Sequence, residues 1–157
     1  MKVESSHIIK KQLLNMEPVA LTELCLRLMK YKKENKELVS YYLFNKGDEA
    51  EYVEMVNNEL TELFEMIPRN GKYKEVKQIR KILRIANKQI KYSGLATTQV
   101  EVLMHFTKLL KPKVKSLQML ALDNMYMQQL KKINIAMGKL HEDLQYDYLK
   151  QLSELEG

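Results

Sequence analysis

Six cations recur along one segment at alternating spacings of three and four residues: Lys74, Lys77, Lys81, Arg84, Lys88 and Lys91. On an α-helix that spacing keeps returning to one side, so the six form a stripe about 26 Å long at roughly 1.5 Å per residue. Such a stripe can follow several phosphates of a nucleic acid. The competing chemistry is ion pairing with an acidic helix alongside, where each exposed pair contributes only ~0–1 kcal/mol but favours one hairpin over its alternatives. The stripe has no interleaved exposed aromatics on which bases could stack. No helix-turn-helix, zinc-finger or RNA-recognition signature accompanies it.

Other reactive side chains are dispersed. His7, His105 and His141 form no H-E-x-x-H pattern, and the lone Cys25 has no Cys or His at a zinc-like spacing. Glu101 and His105, four residues apart, share a helical face and read as a local hydrogen bond rather than one edge of an acid–base or metal site. Cys25 falls on an apolar stripe, where a thiol behaves as a small buried hydrophobe. Glu142, Asp143 and Asp147 read as a solvated helix face. With no glycine-rich phosphate loop and no G-x-S-x-G elbow, the expectation is no catalytic, cofactor-binding or metal-ligating residue.

The elements that position these residues are punctuated as helices. Ser5 and Ser6 precede Ile8, Ile9, Leu13 and Leu14, a short basic helix. Pro18 restarts the chain in a first helical turn, and Leu21, Leu24, Cys25, Leu28 and Met29 mark one face of the next helix, to about Lys32. Asn35 is expected to cap a third short helix, and Gly47 to end it in left-handed geometry. Asp48 with Glu51 reads as a capping box opening a helix to Ile67, and Pro68-Arg69-Asn70-Gly71 as a turn. The segment 73–92 is the clearest amphipathic helix, with Val76, Ile79, Leu83, Ala86 and Ile90 opposite the cations, closed by Ser93-Gly94. Thr98 with Glu101 reads as a second capping box. Pro112 is expected to interrupt or end that helix at Lys111, with 113–115 as a link. Leu117 to Met137 reads as a long helix, with Gly138 separating or kinking the tail.

Charge is distributed unevenly. Residues 47–68 carry seven acids and no Lys or Arg, whereas residues 69–115 carry thirteen Lys or Arg and two acids, so the net +6 hides a dipolar chain. The two segments flank a short turn and should form an antiparallel hairpin. Length and composition predict one domain over 1–157. The N-terminal residues open no apolar signal region, a single Cys forms no intrachain disulfide, and no run reaches membrane-helix length; the expected compartment is cytoplasmic, with no membrane partner. Ten Met and nine Tyr, with Met119, Met125, Met127 and Met137 clustered, suit adaptable packing or a partner groove.

The runs Lys10-Lys11-Gln12-Leu13-Leu14, Leu21-Thr22-Glu23-Leu24 and Tyr31-Lys32-Lys33-Glu34-Asn35-Lys36-Glu37-Leu38-Val39-Ser40-Tyr41-Tyr42-Leu43 resemble the opening of a family of small uncharacterised bacterial all-helical proteins, classed as a domain of unknown function. Of that family's Gly- and Trp-containing segment before the last helix, only Gly138 is present. The resemblance implies a cytoplasmic bacterial all-α protein and carries no activity or site residues.

Together these readings predict an all-α fold, an irregular antiparallel helical bundle of seven or eight helices with an α-α superhelix as its variant. The expected function is a non-enzymatic protein-interaction module. Its partner would be another protein or a second copy in a homodimer, met through the Tyr/Met-rich C-terminal segment or the charged helix pair. The alternative is a nucleic-acid-binding protein using the basic face of helix 73–92.

Overall fold

Every regular element in the computed structural model, which describes residues 2–156, is helical: α1 (Ser6–Leu14), α2 (Pro18–Tyr31), α3 (Lys33–Ser40), a π-helical turn (Tyr41–Asn45), α4 (Glu49–Glu65), α5 (Lys72–Ser93), α6 (Ala96–Leu117), α7 (Leu120–Met137) and α8 (Glu142–Glu156). The all-α expectation holds. No helix among the described residues is long and apolar enough to cross a membrane. The chain divides into two units, residues 1–44 and 45–157.

In the first unit, Pro18 occupies the start of α2, where its missing N–H has no intrahelical partner to lose. Lys32 is extended and separates α2 from α3. Asn35 is therefore not the cap expected of it. It lies inside α3 and donates to the Leu28 carbonyl at 2.8 Å, tying the two helices together. Gly47 is not left-handed either; α3 winds directly into the π-helical turn, so no C′ glycine is needed there. Tyr41, 3% exposed, is the one buried residue of 2–44. Cys25, expected in a core, is exposed, because an apolar stripe fixes a helix's face but not what covers it.

The second unit is built on α4, α5 and α6. Asp48 caps α4 by accepting from the Glu51 N–H at 3.0 Å. Its own N–H bonds the Asn45 carbonyl, so only half of the capping box forms. Tyr52, near the start of α4, donates to the backbone and side-chain oxygens of Gln89, near the end of α5, at 3.1 and 2.8 Å. The pair is thus an antiparallel hairpin. Gly94 ends α5 at φ 71°, left-handed geometry that costs a residue without Cβ least. Val56, Leu60, Ile79, Ala86, Val102 and Phe106 are fully buried, and Phe64 meets Phe106 edge-on at 5.5 Å between centroids.

Thr98 is not an N-cap. α6 starts two residues earlier, at Ala96, and Thr98 is buried. Its hydroxyl donates to Glu49 Oε2 at 2.7 Å, and Ser93 donates to the same oxygen at 2.9 Å. Glu49 thereby joins the start of α4 to the α5–α6 corner, an option the capping-box pattern could not anticipate. Pro112 and the supposed link 113–115 lie inside α6. The proline ring is exposed, and bonds on both sides of it compensate for the lost backbone bond. Lys111 Nζ donates to the carbonyls of Glu154 and Leu155 at 2.9 and 3.1 Å, and Lys113 pairs with Glu75. α7 and α8 complete the unit, separated at Gly138, and pack on α6 around Leu103, Met104, Ile133, Met137 and Leu152.

Candidate functional site

Helix α5 carries the predicted basic stripe, and burial of Val76, Ile79, Ile82 and Ala86 fixes its orientation. Lys74, Lys77, Lys81, Arg84 and Lys91 are exposed, as is Arg80; Lys88 is half-buried and engaged. Among the described residues, those five exposed stripe cations make no ion pair. The carboxylates of Glu51, Glu54, Glu59 and Glu62 on the neighbouring α4 are also exposed and without an ion pair. Pairing across the hairpin edge, the competing expectation from the sequence, therefore does not neutralise the stripe. Each charged row points outward from its own helix.

The α5 acid that does find a cation is Glu75, buried at 7% exposure, whose Oε2 lies 2.9 Å from Lys113 Nζ. Sequence reading passed over it, although its spacing of four and seven from Ile79 and Ile82 places it on the core face.

A cleft of about 180 Å³ opens where α4 ends against α5. Its walls are mainly apolar, from Leu63, Ile67, Pro68, Ile82 and Ile85, with Gln78 and Lys81 as polar members. Met66 borders it and is 73% exposed. On α4, Glu51, Glu54, Asn58, Glu59 and Glu62 surround Met55, itself 49% exposed.

Glu101 and His105 do not bond each other. Glu101 accepts from the Tyr148 hydroxyl on α8, and burial, reinforced by that bond and by the charges of Glu101 and Asp147, pushes the Tyr148 pKa well above its ordinary value. His105 Nε2 lies 2.8 Å from Thr61 Oγ1 on α4. The Thr61 hydroxyl donates to the Asn57 carbonyl at 3.0 Å, which leaves the ring nitrogen to donate. Burial lowers the His105 pKa, the Asn57 carbonyl opposes that, and Lys108 lowers it further. Both side chains are occupied in holding α6 to its neighbours. No group of three His, Cys, Asp or Glu among the described residues is placed to hold a metal.

The methionine-rich segment divides by orientation. Met125 and Met137 are core, whereas Met127 is exposed beside Tyr126, Leu130, Lys131 and Ile135, which line a shallow groove along α7.

More than half of the exposed large hydrophobic side chains among the described residues lie on residues 2–44, which the charge map did not single out. Ile8, Ile9 and Leu14 of α1, and Val19, Leu21, Leu26 and Leu28 of α2, are all exposed. No family model, curated protein or solved structure matches the chain. The N-terminal resemblance thus stands only at the level of a small all-helical protein.

Proposed function

We propose that the chain is a non-enzymatic helical protein-interaction module, in which α4–α8 form the scaffold and α1–α3 the principal docking element. One observation carries this reading: α1 to α3 are amphipathic, yet Tyr41 is their one buried neighbour in residues 2–44. Helices of nine, fourteen and eight residues are marginal in water unless an apolar face is covered. Exposed apolar side chains concentrated on such short helices mark a candidate site of association. The α7 groove around Met127 is a second, smaller surface of the same kind. This reading keeps the cytoplasm as the compartment and is compatible with the resemblance to bacterial helical proteins.

Glutamate at Leu24 and Leu28 tests it. The expected result is an unchanged melting transition of α4–α8, with loss of whatever complex the full chain forms. A large fall in melting temperature of the isolated chain would instead mean that this face is already covered, and would contradict the reading.

A second reading, nucleic-acid binding, draws on the unpaired exposed cations Lys74, Lys77, Lys81, Arg84 and Lys91, with Lys88 as a half-buried member of the same stripe. It predicts affinity that falls steeply with salt and is weakened by Lys81→Glu and Arg84→Glu. No binding to DNA or RNA at low salt would end it.

A further inference from the structure

Two neighbouring helices of opposite charge that do not neutralise one another present a physical puzzle. Four carboxylates of α4 and four cations of α5, Lys74, Lys77, Lys81 and Arg84, remain exposed and without an ion pair, although the helices pack together. Like charges at i,i+3 on α4 and at i,i+3 and i,i+4 on α5 repel, which disfavours the isolated helices. Each row also has an apolar companion: Met55 stands among the acids, and the Leu63/Ile67/Ile82/Ile85 cleft adjoins Lys81. At roughly 1.5 Å per residue, Glu51 to Glu62 spans about 17 Å and Lys74 to Arg84 about 15 Å. The two rows are similar in length and opposite in sign.

We propose that the α4–α5 hairpin is a self-association surface: two copies dock about a two-fold axis, with the Met55-centred acidic row of one on the cleft and cations of the other, and reciprocally. The proposed axis runs beside the α4–α5 seam, so that the acid-on-cation contact is made twice, and an isologous contact of that kind closes as a dimer rather than a filament. The arrangement has an apolar centre and a charged rim, as protein interfaces commonly do.

An unrelated acidic protein would account for the α5 cations but leave the α4 acids and Met55 without a role. A nucleic acid would be repelled by those acids. The ion pairs at the rim are individually weak and screened by salt, so the dimer should be salt-sensitive. This contact is separate from the docking role of α1–α3 and does not require it.

The test is the oligomeric state of the full chain, by light scattering and sedimentation, for wild type and two charge-reversed variants: Lys77→Glu/Lys81→Glu/Arg84→Glu and Glu54→Lys/Glu59→Lys/Glu62→Lys. Circular dichroism checks that each variant folds. Wild type should be dimeric at low salt, with a Kd rising at least ~10-fold between ~50 and ~500 mM salt. Each variant alone should be monomeric. An equimolar mixture should re-form a 1:1 dimer, since one contact then keeps its native signs and the other is restored with its signs exchanged.

A wild type that stays monomeric at low salt, including one that binds an oligonucleotide as a monomer, overturns the proposal. So does a mixture of folded variants that fails to associate. A dimer that survives high salt and both reversals also overturns it, and shifts self-association to an apolar surface such as α1–α3. If a variant fails to fold, the single substitutions Lys81→Glu and Glu59→Lys provide the same comparison. They predict weakened dimers apart and a stronger one when mixed; no change with either overturns the proposal.

Discussion

Lys113, one residue beyond an intrahelical proline in α6, holds its ammonium 2.9 Å from the buried carboxylate of Glu75 at the start of α5. The contact ties the far ends of two antiparallel helices. It is consistent with the rotation that burial of Val76, Ile79, Ile82 and Ala86 gives α5, which turns the basic row outward. Lys113→Met would strand the carboxylate in a site that disfavours its charge. The expected loss is about 1–3 kcal/mol in a urea titration, below the ~3–5 kcal/mol of a fully buried pair because water reaches the lysine. The double variant Glu75→Met/Lys113→Met should recover most of that loss.

Tyr148 should titrate above the ordinary range of a tyrosine. Its folded pKa is raised above 10.0 by burial and by Glu101. Its contribution to stability is therefore fully present below about pH 10 and declines as pH rises toward the folded pKa. The ultraviolet titration difference between wild type and Tyr148→Phe should show one phenol ionising above the ordinary tyrosine value. The same variant should cost about 1 kcal/mol at neutral pH, the usual scale for one hydrogen bond.

His105 gives the opposite slope on the acid side. Its folded pKa lies below 6.5 because burial disfavours the imidazolium. The stability it contributes is complete above that value and is lost as pH falls through the folded pKa. Urea midpoints measured from about pH 7.5 to about pH 5 should fall less steeply in His105→Gln than in wild type.

Pro112→Ala should stabilise the chain. The ring is exposed and removes one backbone bond from the interior of α6. Alanine restores the donor and the better propensity, so a gain of about 1–3 kcal/mol is expected in thermal or urea unfolding.

Local chemistry made much of this fold legible in the sequence. The opposed apolar and basic faces of α5, the Asp48 cap, the turn at Pro68 to Gly71 and the left-handed Gly94 all follow from interactions a few residues long. The departures have longer-range causes. Thr98 bonds Glu49 across two helices instead of capping its own, and Pro112 remains helical because Glu75 and the α8 carbonyls hold the residues beside it. Glu101 and His105, neighbours on one face, are drawn to α8 and α4 respectively. The charge map located the two rows, but whether they would meet depended on helix rotation set by the core. Periodicity showed that α2 has an apolar face; that Leu21, Cys25 and Leu28 on it stay exposed depends on which other segments pack there.

The lone cysteine offers the most direct test of the central claim, that α1–α3 present an uncovered apolar face for a partner. Cys25 sits among Leu21, Leu24 and Leu28 on α2 and is exposed. In the dilute isolated chain under native conditions, its alkylation rate should lie within about tenfold of an unstructured thiol and should not track global unfolding. Alkylation that proceeds only as fast as the whole chain unfolds would mean the face is already covered, and would contradict the account.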